Sequence, residues 1–396
     1  MKIKSRTGAV LLLLLLSVLL CSCKKKEPEP LPQGIATASL CAVGDIYLSE
    51  NMMVDALTGH ESYDFRPLFS QITPTISAAD LAIGNFEGLF SSGTEAGYPD
   101  SLAQVLAQTG FDILQTANSY SVHNGISGLV RTKTVIEDNG MSPLGTYRSQ
   151  EERKKAPVLI REVNGIRLAF IAFTKGFNGF GLPADSEYCT SLLYKDYDTH
   201  YEKVDQNSIL SLVQAAKDTQ PDFIIAALHW GSENISGISS TQETITDLLL
   251  ENGVDVILGA HSHRVEKVER RTVLTPEGLE KECVIAYSLG DFCMTDPQKT
   301  ATSIVLNLEF SKDRATGACS ISGLSYTPVS TVHATHNLDH YAIVPTREAV
   351  SLYENNYYLR VEEDDYTAMV SHLEKIEDTV FPTEPPTESE STDPES

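Results

Sequence analysis

The stretch Leu258-Gly259-Ala260-His261-Ser262-His263 leads an apolar run into two histidines. On an extended backbone, residues at positions i and i+2 lie on the same side, so both imidazoles are expected to face one crevice. Three further apolar runs, each predicted to be a buried β-strand, also end in residue types that bind metals. They are Val43-Gly44-Asp45, Ile83-Gly84-Asn85-Phe86-Glu87 and Ala227-Leu228-His229-Trp230-Gly231-Ser232-Glu233.

The position of these polar residues at strand ends predicts a common site. In an α/β sheet, the loops at the carboxyl ends of the strands line one crevice. Neutral imidazole suits zinc, manganese or iron, and carboxylate oxygens suit manganese and harder cations. The mixed set therefore predicts a site for one or two divalent ions (Mn, Fe or Zn), as in metal-dependent hydrolases.

Each piece alone also has an ordinary structural explanation. An isolated His-x-His pair, or a histidine at a strand end such as His229, is more often a structural residue with its hydrogen bonds satisfied, and Asp45 could cap a helix or a turn. The joint occurrence favours the metal site. Gly44, Gly84 and Gly259 stand beside the polar residues, where they would let the backbone approach a crowded site closely.

Other residues have two open roles each. Trp230, the only tryptophan, either packs in the core or forms a platform beside the pocket. Glu233 either orients a ligand histidine through a hydrogen bond or lies in an exposed loop. Arg131, Lys133 and Arg148 either meet an anionic substrate or lie solvated on the surface.

Predicted strands and helices alternate along the chain, and Asn164-Gly165 is a strong hairpin signal between two of the strands. This combination predicts a mixed α/β sandwich rather than a plain doubly wound sheet. Predicted strands are Leu40–Gly44, Leu81–Gly84, Asp112–Ala117, Val158–Val163, Ile166–Phe173, Phe223–Leu228, Val254–Leu258, Cys283–Ser288 and Ser303–Phe310. Predicted helices are Leu102–Thr109, Ile126–Asn139, Ser208–Asp218 and Glu243–Glu251, and Tyr63–Ala79 is predicted to be partly helical.

The composition limits the function. The 396 residues carry a formal net charge of −24, which argues against nucleic acid as a partner because its phosphates would be repelled. A polyanionic substrate also needs metal ions or a local basic patch to offset this field. Five cysteines follow the N-terminal segment without a C-x-x-C spacing, which favours buried thiols at Cys41 and Cys283 over a disulfide framework. A single disulfide through Cys283 or Cys293 stays open.

The N-terminus resembles a bacterial lipoprotein signal. Lys2, Lys4 and Arg6 precede a leucine-rich run of about a dozen residues, which is shorter than the roughly 20 that span a membrane. Leu20-Cys21-Ser22-Cys23 then resembles a lipobox, which implies cleavage before Cys23 and lipidation of its thiol. The alternatives are an ordinary cleaved signal peptide or a short anchor helix. We expect lipid anchoring at the extracytoplasmic face of the cell membrane.

The chain is expected to contain one large domain between low-complexity ends. Residues 1–22 form the predicted signal peptide, and residues 23–36 form a Pro-rich linker. Residues 37–345 form the predicted folded domain, and 346–380 form a helical extension packed on it. Residues 381–396, composed of Pro, Thr, Glu, Ser and Asp after Phe381, form a predicted disordered acidic tail.

The ordered set of motifs resembles the CapA family, which is associated with bacterial capsule and poly-γ-glutamate synthesis and is related to the calcineurin-like metallophosphoesterases. The resemblance covers about residues 39–295 and implies a four-layer αββα sandwich of two mixed sheets. The motifs are Gly44-Asp45-Ile46, Gly84-Asn85-Phe86-Glu87-Gly88, Ala117-Asn118-Ser119-Tyr120-Ser121, His229-Trp230-Gly231-Ser232-Glu233, Gly259-Ala260-His261-Ser262-His263 and Tyr287-Ser288-Leu289-Gly290-Asp291-Phe292.

The resemblance also implies roles for individual residues. Positions matching the family's metal site are Asp45, Glu87, His229, His261 and His263, and Asn85 is expected to line it. It further implies an anionic exopolymer, or the machinery that makes it, as partner.

The third motif departs from the family pattern. The family usually has Asn-Asn-His where this chain has Asn118-Ser119-Tyr120. In the phosphoesterase relatives the amide binds a second metal and the histidine donates a proton. Two outcomes stay open: a dead site, or a rewired one in which Asn118 is a metal ligand and His123 or Tyr120 is the acid.

Three functions follow from these observations. The first is a membrane-anchored enzyme that acts on poly-γ-glutamate or another extracellular polymer. The second is a non-catalytic lipoprotein that serves polymer export or attachment. The third is a general extracytoplasmic phosphoesterase. The altered Ser119-Tyr120 pair favours the second, whereas the intact His229 and His261-x-His263 favour an enzyme.

Overall fold

The computed structural model describes residues 33–60, 62–91, 96–233, 235, 237–275, 278–294, 302–335, 340–355 and 360–382. The predicted signal peptide, Cys23, most of the linker and residues 383–396 of the predicted acidic tail lie outside these ranges. Within them, no helix has both the length and the apolarity needed to cross a membrane.

The strands belong to two large mixed sheets and one short hairpin. In chain order they are β1 (Ile35–Ile46), β2 (Leu57–Gly59), β3 (Ser62–Tyr63), β4 (Leu81–Phe86), β5 (Ile113–Gln115), β6 (Ser142–Leu144), β7 (Leu159–Val163), β8 (Ile166–Thr174), β9 (Phe223–His229), β10 (Val256–Ala260), β11 (Val268–Leu274), β12 (Glu280–Ala286), β13 (Thr302–Asp313), β14 (Cys319–Thr335), β15 (His340–Pro345) and β16 (Arg360–Val361).

The helices begin and end at recognisable signals. A capping box between Ser239 and Gln242 starts the helix Ser240–Glu251, and Gly110, at a φ of 111°, ends the helix Asp100–Thr109. The helices are α1 (Glu50–Asp55), α2 (Arg66–Phe69), α3 (Thr73–Ile76), α4 (Asp100–Thr109), α5 (Gly125–Asp138), α6 (Gln150–Lys155), α7 (Gln206–Asp218), α8 (Ser240–Glu251), α9 (Thr346–Glu354) and α10 (Glu363–Val380).

The order of the strands brings the carboxyl ends of parallel strands to one edge of each sheet. The first sheet runs β15-β14-β13-β1-β4-β5-β6, with β16 beside β14, and the second runs β11-β12-β10-β9-β8-β7. Strands β1, β4, β5 and β6 are mutually parallel, as are β8, β9, β10 and β12. The loops that follow β1, β4, β9 and β10 therefore start from these edges.

The two sheets pack face to face, and helices cover their outer faces. In β1, Leu40 points into the core between the sheets, whereas Cys41 points into a second core beneath helices such as α4. In β8, Phe170 and Ile171 divide in the same way between the inner core and a third core beneath α7 and α8. Both faces of these strands are buried, which explains their continuous apolar sequence. The expected four-layer α/β sandwich is confirmed.

Strands that are only partly buried were not predicted, because their sequences are not continuous apolar runs. Strands β11, β14 and β15 were not predicted, and β12 begins at Glu280 rather than at Cys283. In strand β11, Val268 is buried and the residues after it alternate between exposed and partly buried, because the strand lies at the edge of its sheet. The predicted partly helical stretch Tyr63–Ala79 contains two four-residue helices, each with a proline in its first turn.

The C-terminal extension packs on the domain through its helices, and the described cysteines form no disulfide. Helices α9 and α10 lie in the predicted extension, and Ala349 and Met369 pack there against Val344 of β15. The cysteines in the described residues are free thiols. Cys41 and Cys283 are buried, as predicted.

Candidate metal centre

Five side chains from the two sheets meet at the carboxyl ends of their strands. The first sheet contributes two carboxylates, since Asp45 lies in β1 and Glu87 directly follows β4. The second sheet contributes three imidazoles: His229 ends β9, and His261 and His263 follow β10. We call these five residues the metal-ligand cluster. Four of them are almost fully buried, and His263 is the most accessible.

The distances inside the cluster are short enough for shared cations. Potential ligand atoms of Glu87, His229 and His261 lie within 4.8 Å of one another, as do those of Asp45, Glu87 and His263. Glu87 belongs to both groups. The ring centroids of His229 and His261 are 4.4 Å apart, so the structure brings together histidines from separate parts of the sequence.

Two ligand atoms in the cluster lack a protein partner. Glu87 Oε2 and His261 Nδ1 are buried, and neither has a hydrogen-bond partner among the described residues. Buried polar atoms are nearly always hydrogen-bonded, and leaving one unsatisfied costs about 1–3 kcal/mol. A divalent cation would satisfy both atoms. The residues present therefore fit the Mn, Fe or Zn ion predicted from the sequence.

A close backbone approach positions Asp45. A Cβ atom on Gly44 would lie 1.9 Å from the carbonyl oxygen of Gly290, so only glycine fits between β1 and this loop. The register between β1 and β4 shifts between Val43 and Asp45. Such irregularities re-aim a side chain at the end of a strand, and here the carboxylate joins the cluster.

The histidine loop after β10 has an unusual backbone. Residues His261 and His263 adopt φ angles of 98° and 57°, in the left-handed region that non-glycine residues rarely occupy. A Cβ on Gly259 would lie 2.0 Å from the carbonyl oxygen of Tyr287, so β10 also runs tightly against its neighbour. Backbone conformations of this kind persist where surrounding structure enforces them, and they concentrate at functional sites.

Burial and mutual charge shift the pKa values of the cluster in opposite directions. Burial, followed by the charge of Asp291, raises the pKa of Asp45 to about 7, and burial, followed by the charge of Asp45, raises that of Glu87 well above its usual value. Burial lowers the pKa of His261 to about 3 and that of His229 well below its usual value. Both imidazoles are therefore neutral, as metal ligation requires.

His263 behaves differently from the other two histidines. Burial acts to lower its pKa, but the hydrogen bond and charge of Asp291 outweigh burial and raise the pKa to about 10. Without a cation, the negative charge of the buried carboxylates is therefore reduced in two ways. His263 is protonated and carries a positive charge, and the carboxyl groups themselves bind protons.

Metal affinity is expected to rise with pH, because a cation must displace these protons. Asp45 has a pKa of about 7 and His263 of about 10. Between pH 6 and 8 the affinity for Mn²⁺ should increase by roughly tenfold per pH unit for each proton displaced. Competition with a chelator across this range measures the slope. The Asp45→Asn variant should bind more weakly with a shallower slope, and a pH-independent wild-type affinity would contradict the expectation.

Next to the cluster lies an open cavity of about 240 Å³. His261 and Ser119 form its inner wall, and Lys175, Tyr201 and Glu233 are among its other lining residues. Molecules that enter this cavity come into contact with a cluster histidine.

The folded domain is similar in sequence to a known protein family. Residues 39–296 match the family described as "Bacterial capsule synthesis protein PGA_cap". The chain belongs to this family. It is 24% identical over 268 residues to the capsule biosynthesis protein CapA of Bacillus anthracis, a match that covers 64% of this chain and 59% of that protein. It is also 24% identical over 358 residues to the PGA biosynthesis protein CapA of Bacillus subtilis, which covers 84% of this chain and 83% of that protein.

A solved structure described as a novel phosphatase from Mycoplasma pneumoniae is also similar. It aligns with a TM-score of 0.43 at 12% identity, over 75% of this chain and 95% of that one. Neither activity nor substrate carries over at this score.

The altered third motif of this PGA_cap member contacts the cluster through Ser119. Its hydroxyl lies 2.9 Å from Nε2 of His229, so it engages a cluster histidine directly. Asn118 is fully buried, donates to the carbonyl oxygen of Phe86 at 2.7 Å and accepts from the backbone N–H of Tyr120 at 3.0 Å. Both ends of the amide are thus hydrogen-bonded within the scaffold, and the predicted role of Asn118 as a metal ligand would use the second lone pair of Oδ1.

The two predicted catalytic residues lie outside the cluster. Tyr120 is half-buried, and burial followed by the charges of Tyr47 and Glu87 raises its pKa, so the phenol keeps its proton at neutral pH. It can donate a hydrogen bond but is a poor proton shuttle. His123 is exposed, and its ring packs 5.8 Å from those of Tyr120 and Phe180. His123 therefore lies beyond Tyr120, and the structure gives it no contact with the cluster in the described part of the chain.

Asp291 is a site residue without a predicted role. Its Oδ1 lies 2.7 Å from Nδ1 of His263, so the carboxylate orients this imidazole. Carboxylate–histidine pairs commonly fix metal-binding imidazoles. The strand-end rule could have found it, because Asp291 follows β12. Asn85 was expected to line the site, and its Nδ2 donates to Asp45 Oδ1 at 2.6 Å.

Trp230 belongs to the core. It is fully buried, stacks on Tyr287 with ring centroids 5.8 Å apart, and donates from Nε1 to the carbonyl oxygen of Tyr287 at 2.9 Å. Its packing fixes the strand end next to His229 and leaves no platform for a ligand.

Proposed function

We propose that this chain is a lipid-anchored extracytoplasmic protein of capsule or poly-γ-glutamate synthesis, attachment or export, and that its domain works with a bound divalent cation. The observation that carries the proposal is the metal-ligand cluster, in which buried ligand atoms of Glu87 and His261 have no hydrogen-bond partner among the described residues. Membership in the PGA_cap family supports the polymer context. The names of the two CapA relatives support capsule and PGA biosynthesis as the process.

The residues of the chain have separate tasks in this proposal. Glu87, His229 and His261 would hold one cation. Asp45, Glu87 and His263, which Asp291 orients, would hold a second. A cation there supplies positive charge that polarises a carbonyl or phosphoryl oxygen. Ser119 holds the imidazole of His229, and the phenol of Tyr120, next to Ser119 in the chain, keeps its proton.

A non-catalytic scaffold is the second candidate, and the third motif favours it. Ser119 presents a neutral hydroxyl where the family motif has an amide, and Tyr120 has a raised pKa where the family has an imidazole. Loss of a general acid typically lowers a rate by about 10²–10⁴. In this alternative the domain serves as a binding partner of the polymer machinery through its fold, and this function does not depend on a bound cation.

A single experiment separates the two candidates. The chromosomal copy in the host bacterium is replaced by His229→Ala or by the matched control His60→Ala, which removes an exposed histidine outside the cluster. The surface polymer is then quantified at equal protein levels. A metal-dependent function predicts that His229→Ala loses most of the polymer and that His60→Ala retains it. Normal polymer with His229→Ala would favour the scaffold.

The lipid anchor is tested at Cys23, which lies outside the described residues. Because Ser22-Cys23 resembles a lipobox, Cys23→Ala should block processing or release the protein from membranes, whereas Cys21→Ala should leave both unchanged. Membrane fractionation and mass spectrometry of the mature N-terminus provide the readout. Normally processed, membrane-bound Cys23→Ala protein would exclude lipidation at this residue.

A further inference from the structure

The cavity beside the cluster contains one lysine whose charge is not neutralised by an ion pair. Lys175 follows β8 and is half-buried. Its Nζ donates to the carbonyl oxygen of Gly231 at 2.6 Å and lies 4.6 Å from the centre of the Tyr201 ring. Both partners are neutral, and in the described part of the chain Lys175 forms no salt bridge. Its positive charge is therefore available to a ligand.

The basic residues singled out in the sequence differ from Lys175 in this respect. Arg131 pairs with Asp100 at 2.6 Å, and Lys133 is buried 3.6 Å from Glu152. Arg148 also pairs with Glu152, at 3.1 Å. Their charges are compensated inside the domain, so they do not form the basic patch that an anionic substrate requires.

The positive charge of Lys175 lies close enough to the cluster to affect its histidines. It contributes to the lowered pKa of His261 after burial, and to that of His229 after burial and the effects of His261 and His263. Lys175 and His261 also line one cavity. In a chain with a net charge of −24, an anion reaches this point only where local positive charge offsets the general repulsion.

We propose that Lys175 recognises an anionic group of the substrate, a carboxylate or a phosphate, while an adjoining part of the same molecule reaches the cluster. This inference rests on the proposed function and names the substrate class of the same site. The cavity of about 240 Å³ is below the usual 300–1,000 Å³ of small-molecule pockets, so it holds one unit of a polymer rather than a long segment.

The cavity is lined by an acidic residue, Glu233, as well as by Lys175. Its carboxylate lines the same cavity as Lys175, and its charge acts to raise the pKa of the lysine, against the larger lowering effect of burial. An anionic substituent is attracted at Lys175 and repelled at Glu233, which instead accepts hydrogen bonds from N–H or O–H groups. The substrate is therefore expected to carry an anionic group and a neutral donor close together.

Binding to the full-length protein in detergent tests the inference. The probes are a γ-linked glutamate trimer and inorganic phosphate, each with and without Mn²⁺, measured by calorimetry at low and high salt. The variants are Lys175→Met, Lys175→Arg and the control Lys195→Met, which removes an exposed lysine that does not line the cavity. Metal content is determined for every variant.

Lys175→Met should weaken binding of the recognised probe by at least about tenfold, as expected for loss of a charged hydrogen bond, without loss of metal. Salt should weaken wild-type binding more than that of Lys175→Met, and Lys175→Arg should restore much of the affinity. Lys195→Met should bind as the wild type does. The probe that depends on Lys175 identifies the carboxylate or the phosphate as the anion.

Two results would overturn the inference: unchanged binding of both probes to Lys175→Met, or no binding of either probe to the wild type. Neither result would contradict the proposed metal-dependent function, which is tested by the metal content and the polymer phenotype of His229→Ala. Conversely, a wild type that lacks metal but binds a probe through Lys175 would reject the metal-dependent function and leave the anion site standing.

Discussion

Replacing His229 by alanine should remove most of the bound divalent cation from the purified full-length protein. His229 is fully buried, and its Nε2 lies 3.6 Å from Glu87 Oε1 at the centre of the cluster. Changes to residues that only orient ligands typically lower metal affinity by about 10–100-fold, so the loss of a ligand should exceed about 100-fold. Elemental analysis after dialysis and titration with Mn²⁺, Fe²⁺ and Zn²⁺ measure occupancy and preference.

Thermal unfolding supplies a second readout for this variant. A ligand present at about 100 times its Kd stabilises the folded state by about 2.7 kcal/mol, so added Mn²⁺ should raise the Tm of the wild type but not of His229→Ala. The exposed-histidine control His60→Ala should keep both metal and response. Metal content in His229→Ala equal to that of the wild type would disprove the assignment of this histidine.

Restoring the family's third motif should produce the largest gain. The double variant Ser119→Asn with Tyr120→His supplies an amide and an imidazole where the wild type has a hydroxyl and a phenol with a raised pKa. We expect higher metal occupancy and an increase of about 10²–10⁴-fold in the hydrolysis of a model phosphodiester, the range typical of a general acid. Metal analysis and initial rates at saturating Mn²⁺ give the two quantities.

Tyr120→Phe is the matched control for the double variant. It removes only the hydroxyl, so it should leave metal occupancy unchanged and should not raise the rate. A wild-type protein that already binds two cations and hydrolyses the diester rapidly would contradict this account. In that case the chain would have to use other residues, such as His123, in place of the missing pair.

The sequence predicted the inner strands and the cluster because both have strong signals. Strands such as β1 and β9 are buried on both faces and read as continuous apolar runs, so their ends, where Asp45 and His229 lie, were easy to locate. The convergence of residues as distant as Asp45 and His261 followed from a general rule on strand ends.

The unpredicted parts depend on contacts that no local pattern encodes. Strand β11 is half exposed at a sheet edge, and its pairing with β12 is what makes it a strand. Lys175 differs from other lysines only in its surroundings, since the Gly231 carbonyl and the Tyr201 ring that hold it come from distant loops. Likewise, no local pattern in the sequence shows that the amide of Asn118 is hydrogen-bonded to the backbone of Phe86 and Tyr120.

The division of the cluster between the sheets has a mechanical consequence. The carboxylates belong to one sheet and the imidazoles to the other, and the backbone N–H of His261 donates to Asp45 Oδ2 at 3.2 Å across a separation of 216 residues. A cation bound there would cross-link the two sheets at the ends of their strands and join segments that are far apart in the sequence. Unlike a disulfide, such a link exists only while the ligands are assembled, so it stabilises the folded state through binding rather than by restricting the unfolded chain. Metal supply would then govern how readily the two sheets separate, independently of any reaction at the site.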